Sequence, residues 1–130
     1  MSKNLWGEIS TEQLLRTPTS VLREQATALT KATKAILEGH VRVSSRDGLF
    51  AITLSIVAPT IDNYEFDVVY ATHGVDLYPV TVAPDWDRYS RDAQVDCDDE
   101  DELLAALEKI LGSSRVQRVI KSLLAQSKSM

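Results

Sequence analysis

An Asp47-Gly48 pair stands between two runs of alternating apolar and polar residues, and it constrains the fold of this chain more than any other feature. A two-residue turn of this composition takes a backbone geometry whose twist matches the strands it joins. It also sets the pairing: Arg46 meets Leu49, and each step outward pairs the next two residues. Val43 then faces Ile52, Val41 faces Leu54, Arg42 faces Thr53 and His40 faces Ser55. Apolar pairs gather on one face and polar pairs on the other, and a slip of one residue would scramble them.

The same sorting extends the sheet. Tyr64, Phe66, Val68 and Tyr70 share a phase, as do Tyr78, Val80 and Val82. Setting Leu54 opposite Phe66 and Ile52 opposite Val68 keeps one face apolar. A bend at His73-Gly74-Val75 then brings Tyr70 to Tyr78 and Val68 to Val80. Pro79 cannot donate a ladder hydrogen bond, which predicts an edge position for the fourth strand. The expected sheet is a four-stranded antiparallel meander in the order 1-2-3-4.

Helices flank it. Thr17-Pro18 reads as a cap followed by proline at the first helical position. From there Leu22, Ala26, Leu29, Ala32 and Ile36 recur at helical spacing, with Gly39 as the expected terminator. Ser10-Thr11-Glu12-Gln13 has the form of a capping box and predicts a short helical turn before that. Near the other end, Asp99 to Asp101 supply capping oxygens for a helix through Leu103, Leu107 and Ile110. Gly112 closes it, and Ser113 or Ser114 starts a last helix through Val116, Val119, Ile120 and Leu123. The fold class is α+β, with one N-terminal and two C-terminal helices covering the apolar face of the sheet.

With 130 residues, 44% hydrophobic and 25% charged, the chain reads as one domain over 1–130. Within it, 1–17 is an N-terminal arm and 85–98 an acidic loop. The apolar run Leu49–Ala58 is too short to span a bilayer, and the first eight residues lack the pattern of an export signal. A single cysteine, Cys97, excludes an internal disulfide and suits a reducing cytoplasm. Residues 85–102 carry nine acids against Arg88 and Arg91, whereas 109–130 carry five bases and no acid. The net charge of −5 disfavours nucleic acid and favours a basic protein partner.

No constellation carries a recognisable chemistry. The run Asp96–Glu102 lacks the glycine and the final glutamate of a calcium loop, so helix capping is its expected role. His40, Ser55 and Glu65 form a polar row, yet serine occupies the place that a hydrolase needs histidine to hold. His73 is expected to be a tolerated turn residue. Asp96 and Asp98 disfavour a thiolate at Cys97. Neither a phosphate loop nor a dinucleotide fingerprint is present, and no cofactor or metal is expected.

The aromatics Tyr64, Phe66, Tyr70 and Tyr78 are expected in the core, and Trp6 as a staple for the N-terminus. Trp86 and Tyr89 fall off any periodic pattern, in the acidic loop with Asp85 and Asp87. They are candidates either for anchors on a partner or for a lid on the sheet. The polar sheet face adds His40, Arg42, Glu65 and Asp67 as candidate interaction residues. Ala51, Thr53, Val69, Pro79 and Thr81 would form a flat area beside them. The basic face of the last helix, with Arg115, Arg118 and Lys121, is a candidate for contacting anions, RNA or an acidic partner, against the expectation that it is solvated or lies against the acidic loop. The reading that follows is a non-enzymatic interaction domain, such as an adaptor, chaperone-like binder or immunity-type inhibitor, able to dimerise. The alternative is a ligand-binding or enzymatic domain using the polar face or a pocket under the acidic loop.

Overall fold

Thr17 opens the first helix as the sequence predicts. Its Oγ1 accepts from the Ser20 amide, and Pro18 holds the first helical position of α1, Pro18–Ala32. The computed structural model describes residues 3–12 and 14–130. After α1 come β1 (Glu38–Arg46), β2 (Leu49–Ala58), β3 (Tyr64–His73), β4 (Val80–Pro84), a 3-10 turn (Asp85–Asp87) and β5 (Val95–Cys97). Two helices close the chain, α2 (Glu100–Leu111) and α3 (Ser114–Lys128). The architecture is α+β, and the sheet is an antiparallel meander in the order β1-β2-β3-β4-β5. No helix among the described residues is long and apolar enough to cross a membrane.

The hairpin has the register that Asp47-Gly48 dictates, from Arg46↔Leu49 to His40↔Ser55. Ile52 and Leu54 are buried, and Val41 packs against the core. The next pairing departs from expectation. Leu54 lies opposite Val69 and Ser55 opposite Asp67, which leaves Val68 as the extra residue of a β-bulge. Both Val68 and Val69 are buried, and every residue beyond them changes face. Ile52 therefore meets Ala71 rather than Val68, and Phe66 meets Ile56 rather than Leu54. Tyr70 turns to the outer, polar face, opposite Ala83 rather than Tyr78. Val69 leaves the proposed flat area for the core, and Pro79 precedes β4 instead of lying in it.

The sheet also has a fifth strand. Val95–Cys97 pairs with β4, so β4 is not the edge. Three residues carry too little periodicity to be read as a strand. The pairing is sealed instead by Thr81 Oγ1, which donates to Asp96 Oδ1 at 2.8 Å. Cys97 faces the core, and burial first, then the neighbouring carboxylates, pushes its thiol pKa up.

α1 ends earlier than Gly39. Thr33 caps it, with its Oγ1 donating to the Leu29 carbonyl and accepting from the Leu37 amide. The chain then reverses through Lys34 and Ala35, both in the left-handed region. Gly39 lies within β1 at the point where α1 crosses the strand, and its role is close approach rather than termination. A Cβ there would sit 2.3 Å from the Ala26 carbonyl oxygen.

The acidic run before α2 does cap a helix: Asp99 Oδ1 accepts from the Glu102 amide, and Glu102 Oε1 from the Asp98 amide. Ser113 caps α3. Of the predicted capping box at Ser10, Gln13 lies outside the described residues, and the described residues around it form no helix. Trp6 staples nothing and is exposed. His73 is no loop residue: it ends β3, buried and stacked on Phe50 at 5.3 Å between ring centroids.

Candidate functional site

Because β4 pairs only with Val69–His73, the first half of β3, joined to β2 on one side, has no strand on the other. Pro84 ends β4, and the 3-10 turn that follows fills this gap, turning Trp86 onto Phe66 with ring centroids 5.9 Å apart. Arg115, in the first turn of α3, lies over both rings. Its guanidinium carbon is 5.0 Å from the Trp86 centroid and 5.6 Å from that of Phe66. The helix dipole disfavours a cation at that end, so the two aromatic faces, not the helix, hold Arg115 in place.

Phe66 and Arg115 line an open groove of about 610 Å³ between β3 and α3, and Trp86 packs against both of them at its edge. Ile61, Tyr64, Phe66, Val119 and Leu123 form its apolar surface, and Arg115 and Arg118 its basic edge. Tyr64 is half exposed here rather than in the core. Among the described residues, neither Arg115 nor Arg118 forms an ion pair; α3 meets the acidic loop through Arg115 over the Trp86 ring and not through the loop's carboxylates.

The outer sheet face holds a second cluster, already neutralised from within. Arg42 reaches across β2 to pair with Glu65 and with Asp67, the latter at 3.2 Å. Ser55 is 1% exposed, and its hydroxyl donates to Asp67 Oδ1 at 2.6 Å. His40 pairs with Glu38 at 2.9 Å. The expected row of His40, Ser55 and Glu65 is thus replaced: from Ala58↔Tyr64 onward β2 and β3 pair two residues away from the expected register, which puts Asp67 opposite Ser55, and His40 turns to Glu38. Ser55 is closed to solvent and the carboxylate it donates to is already paired with Arg42, which weighs against a nucleophilic role for it on this face.

The turn joins the two surfaces. Arg88 stacks on Tyr70 at 4.7 Å and on Tyr89 at 5.1 Å, while Tyr89 and Asp87 are exposed at the tip. Asp85 lies 3.7 Å from Arg88 Nη1, and its Oδ1 is buried without a hydrogen bond. Burial pushes the Asp85 carboxyl above the ordinary aspartate range. Its proton is held more tightly in the folded chain than in the unfolded one. Stability attributable to this group therefore rises as pH falls from neutral through the raised pKa. Asp85→Asn is expected to be favoured over the wild type at neutral pH, with the gap closing as the pH falls into the acidic range. Urea midpoints of both proteins across that range check it.

Of the eight candidate residues, the structure unites Arg42, Glu65 and Asp67 in one network, with His40 on the same face. It sends Trp86 to the groove and leaves Tyr89 and Asp87 in solvent. Arg115, Arg118, Phe66 and Tyr64 complete the groove; the sequence marks the two arginines only as part of a basic helix face open to an anion, RNA or an acidic partner, and the two aromatics as core. The signal that could have flagged them is a cation in the first turn of a helix whose flanking segment holds no acid. No family model, no curated protein and no solved structure matches this chain, so its function has to be argued from this geometry alone.

Proposed function

We propose that this chain is a protein-interaction domain, acting as an adaptor, chaperone-like binder or inhibitor by docking rather than by chemistry of its own. The groove between β3 and α3 receives an acidic segment that carries an apolar side chain. The observation behind this reading is Arg115, held over Phe66 and Trp86 at an open groove, with no carboxylate paired to it or to Arg118. Aromatic and arginine side chains together are the composition of interface hot spots. A bound carboxylate would meet two guanidinium groups and the positive end of α3.

The net charge had favoured a basic partner, and here the local field has the opposite sign. Several carboxylates that would attract a basic partner are engaged already, Glu65 and Asp67 by Arg42 and Asp99 and Glu102 by the start of α2.

The test is calorimetric titration with synthetic peptides that place one Leu or Phe among Glu residues, against matched Lys peptides. The acidic peptides are expected to bind, more weakly as salt rises, and the Lys peptides not. Arg115→Ala with Arg118→Ala, and separately Trp86→Ala, should each weaken binding about tenfold or more. Equal binding of both peptide series, or indifference to these substitutions, defeats the reading.

A further inference from the structure

We infer that residues 3–15 are a docking arm exchanged between two copies of this chain, each arm seating in the apolar cleft that α1 and the C-terminal helices leave open in the other. This surface is distinct from the aromatic–basic groove and does not depend on it.

Two unmatched halves of one contact lie on the same molecule. The first is the arm. Leu5, Trp6, Ile9, Leu14 and Leu15 are each 70% exposed or more, while the core closes without them. Such a concentration of large apolar side chains on one short segment is the usual mark of an interaction site. The second half is a cleft of about 240 Å³ over the inner face of the sheet. Ala26, Leu29, Val68, Leu111, Val116 and Ile120 are among its lining, no charged residue lines it, and Gln25 and Gln117 supply polar groups.

The arm is also shaped for display. Asn4 Oδ1 accepts from the Trp6 amide, Asn4 Nδ2 donates to the Gly7 carbonyl, and Gly7 takes a φ of +75° that suits glycine. This turn holds Leu5 and Trp6 side by side, facing solvent. At the other end Arg16 clamps the root of the arm to the body. Its Nη1 donates to Glu24 of α1 at 2.7 Å and its Nε to Glu100 of α2 at 2.7 Å. In the single chain the arm's apolar side chains stand outside the cleft and exposed.

A second copy is the occupant that accounts for both halves at once. A two-fold exchange gives each chain one filled cleft and one seated arm, and it closes without leaving a free end. The arm carries Lys3, Glu8 and Glu12, so its charge is close to neutral and does not oppose entry into an uncharged cleft.

Sedimentation equilibrium of the full chain tests the exchange, with circular dichroism confirming that each variant is folded. The wild type is expected to be a dimer at tens of micromolar. Leu5→Asp with Trp6→Asp alters only exposed side chains, and Ala28→Glu places a charge at the exposed rim of the cleft. Each variant should weaken dimerisation by roughly a hundredfold. Mixing the arm variant with the cleft variant should restore a heterodimer, because one intact arm then meets one intact cleft. Arg115→Ala with Arg118→Ala should leave the dimer unchanged. A wild type that stays monomeric to about 100 µM overturns the proposal, as do variants that dimerise like the wild type. A monomer whose arm is shielded from protease only while the cleft is intact overturns it too, because that arm is seated in its own chain.

Discussion

Replacing Gly39 with alanine is expected to cost roughly 3 kcal/mol or more of folding stability, a large effect for a single methyl group. The added Cβ would lie 2.3 Å from the Ala26 carbonyl oxygen and 2.4 Å from the Ala26 Cα. Both are backbone atoms, so no rotamer change relieves the clash and α1 must lift from β1. Lifting would also strain the bond that the Gly39 amide donates to Thr30 Oγ1 at 3.0 Å, from a side chain that itself donates to the Ala26 carbonyl. Gly74→Ala is the control, because open space surrounds that position. Urea denaturation of both variants decides the matter, and equal stability would show that the helix does not rest on the strand in solution.

The second large effect should come from Ile52→Ala, expected to lose 2–5 kcal/mol as buried aliphatic truncations do. Its cross-strand partner Val43 points to the same face, yet Val43→Ala should lose only about 1 kcal/mol or less. The difference is cover. Ile52 is 0% exposed and surrounded by core, whereas Val43 is 43% exposed near the end of the hairpin, in an open hollow that Thr19 and Arg23 of α1 border without closing. Thermal midpoints of the two variants measured side by side would expose an error in this assignment if they fell together.

That contrast shows how far pattern reading extends. The hairpin was legible because its turn is local and its alternation independent of it, and both gave one register. The capped starts of the three helices were legible for a similar reason: Thr17, Asp99 and Ser113 each act on amides two or three residues away. Pairing between β2 and β3 was not, because the loop 58–63 does not dictate a register and the bulge at Val68 leaves the apolar phase plausible on both sides. A two-residue shift set at the turn before β3 put Asp67, not Glu65, beside Ser55, and the one residue inserted at Val68 moved Tyr70 to the outer face.

The candidate site suffered more from the same limit. Trp86 stood out in the sequence because it broke periodicity, and it does take a special place. Arg115 did not stand out, since a base on a helix is unremarkable until two aromatic rings from β3 and the turn close around it. Gly39 was misread for a related reason. A glycine after a helix resembles a terminator, and only the crossing of α1 over β1 reveals that its missing side chain is what matters.

The chain's own letters determined the α+β class, the hairpin and its register, the helix caps and the uneven charge, because each depends on residues a few positions apart. Tertiary packing decided the fifth strand, the bulge, the groove under Arg115 and the arm left without cover. Those depend on which distant surfaces meet and which are left over, and no short stretch of sequence carries that information.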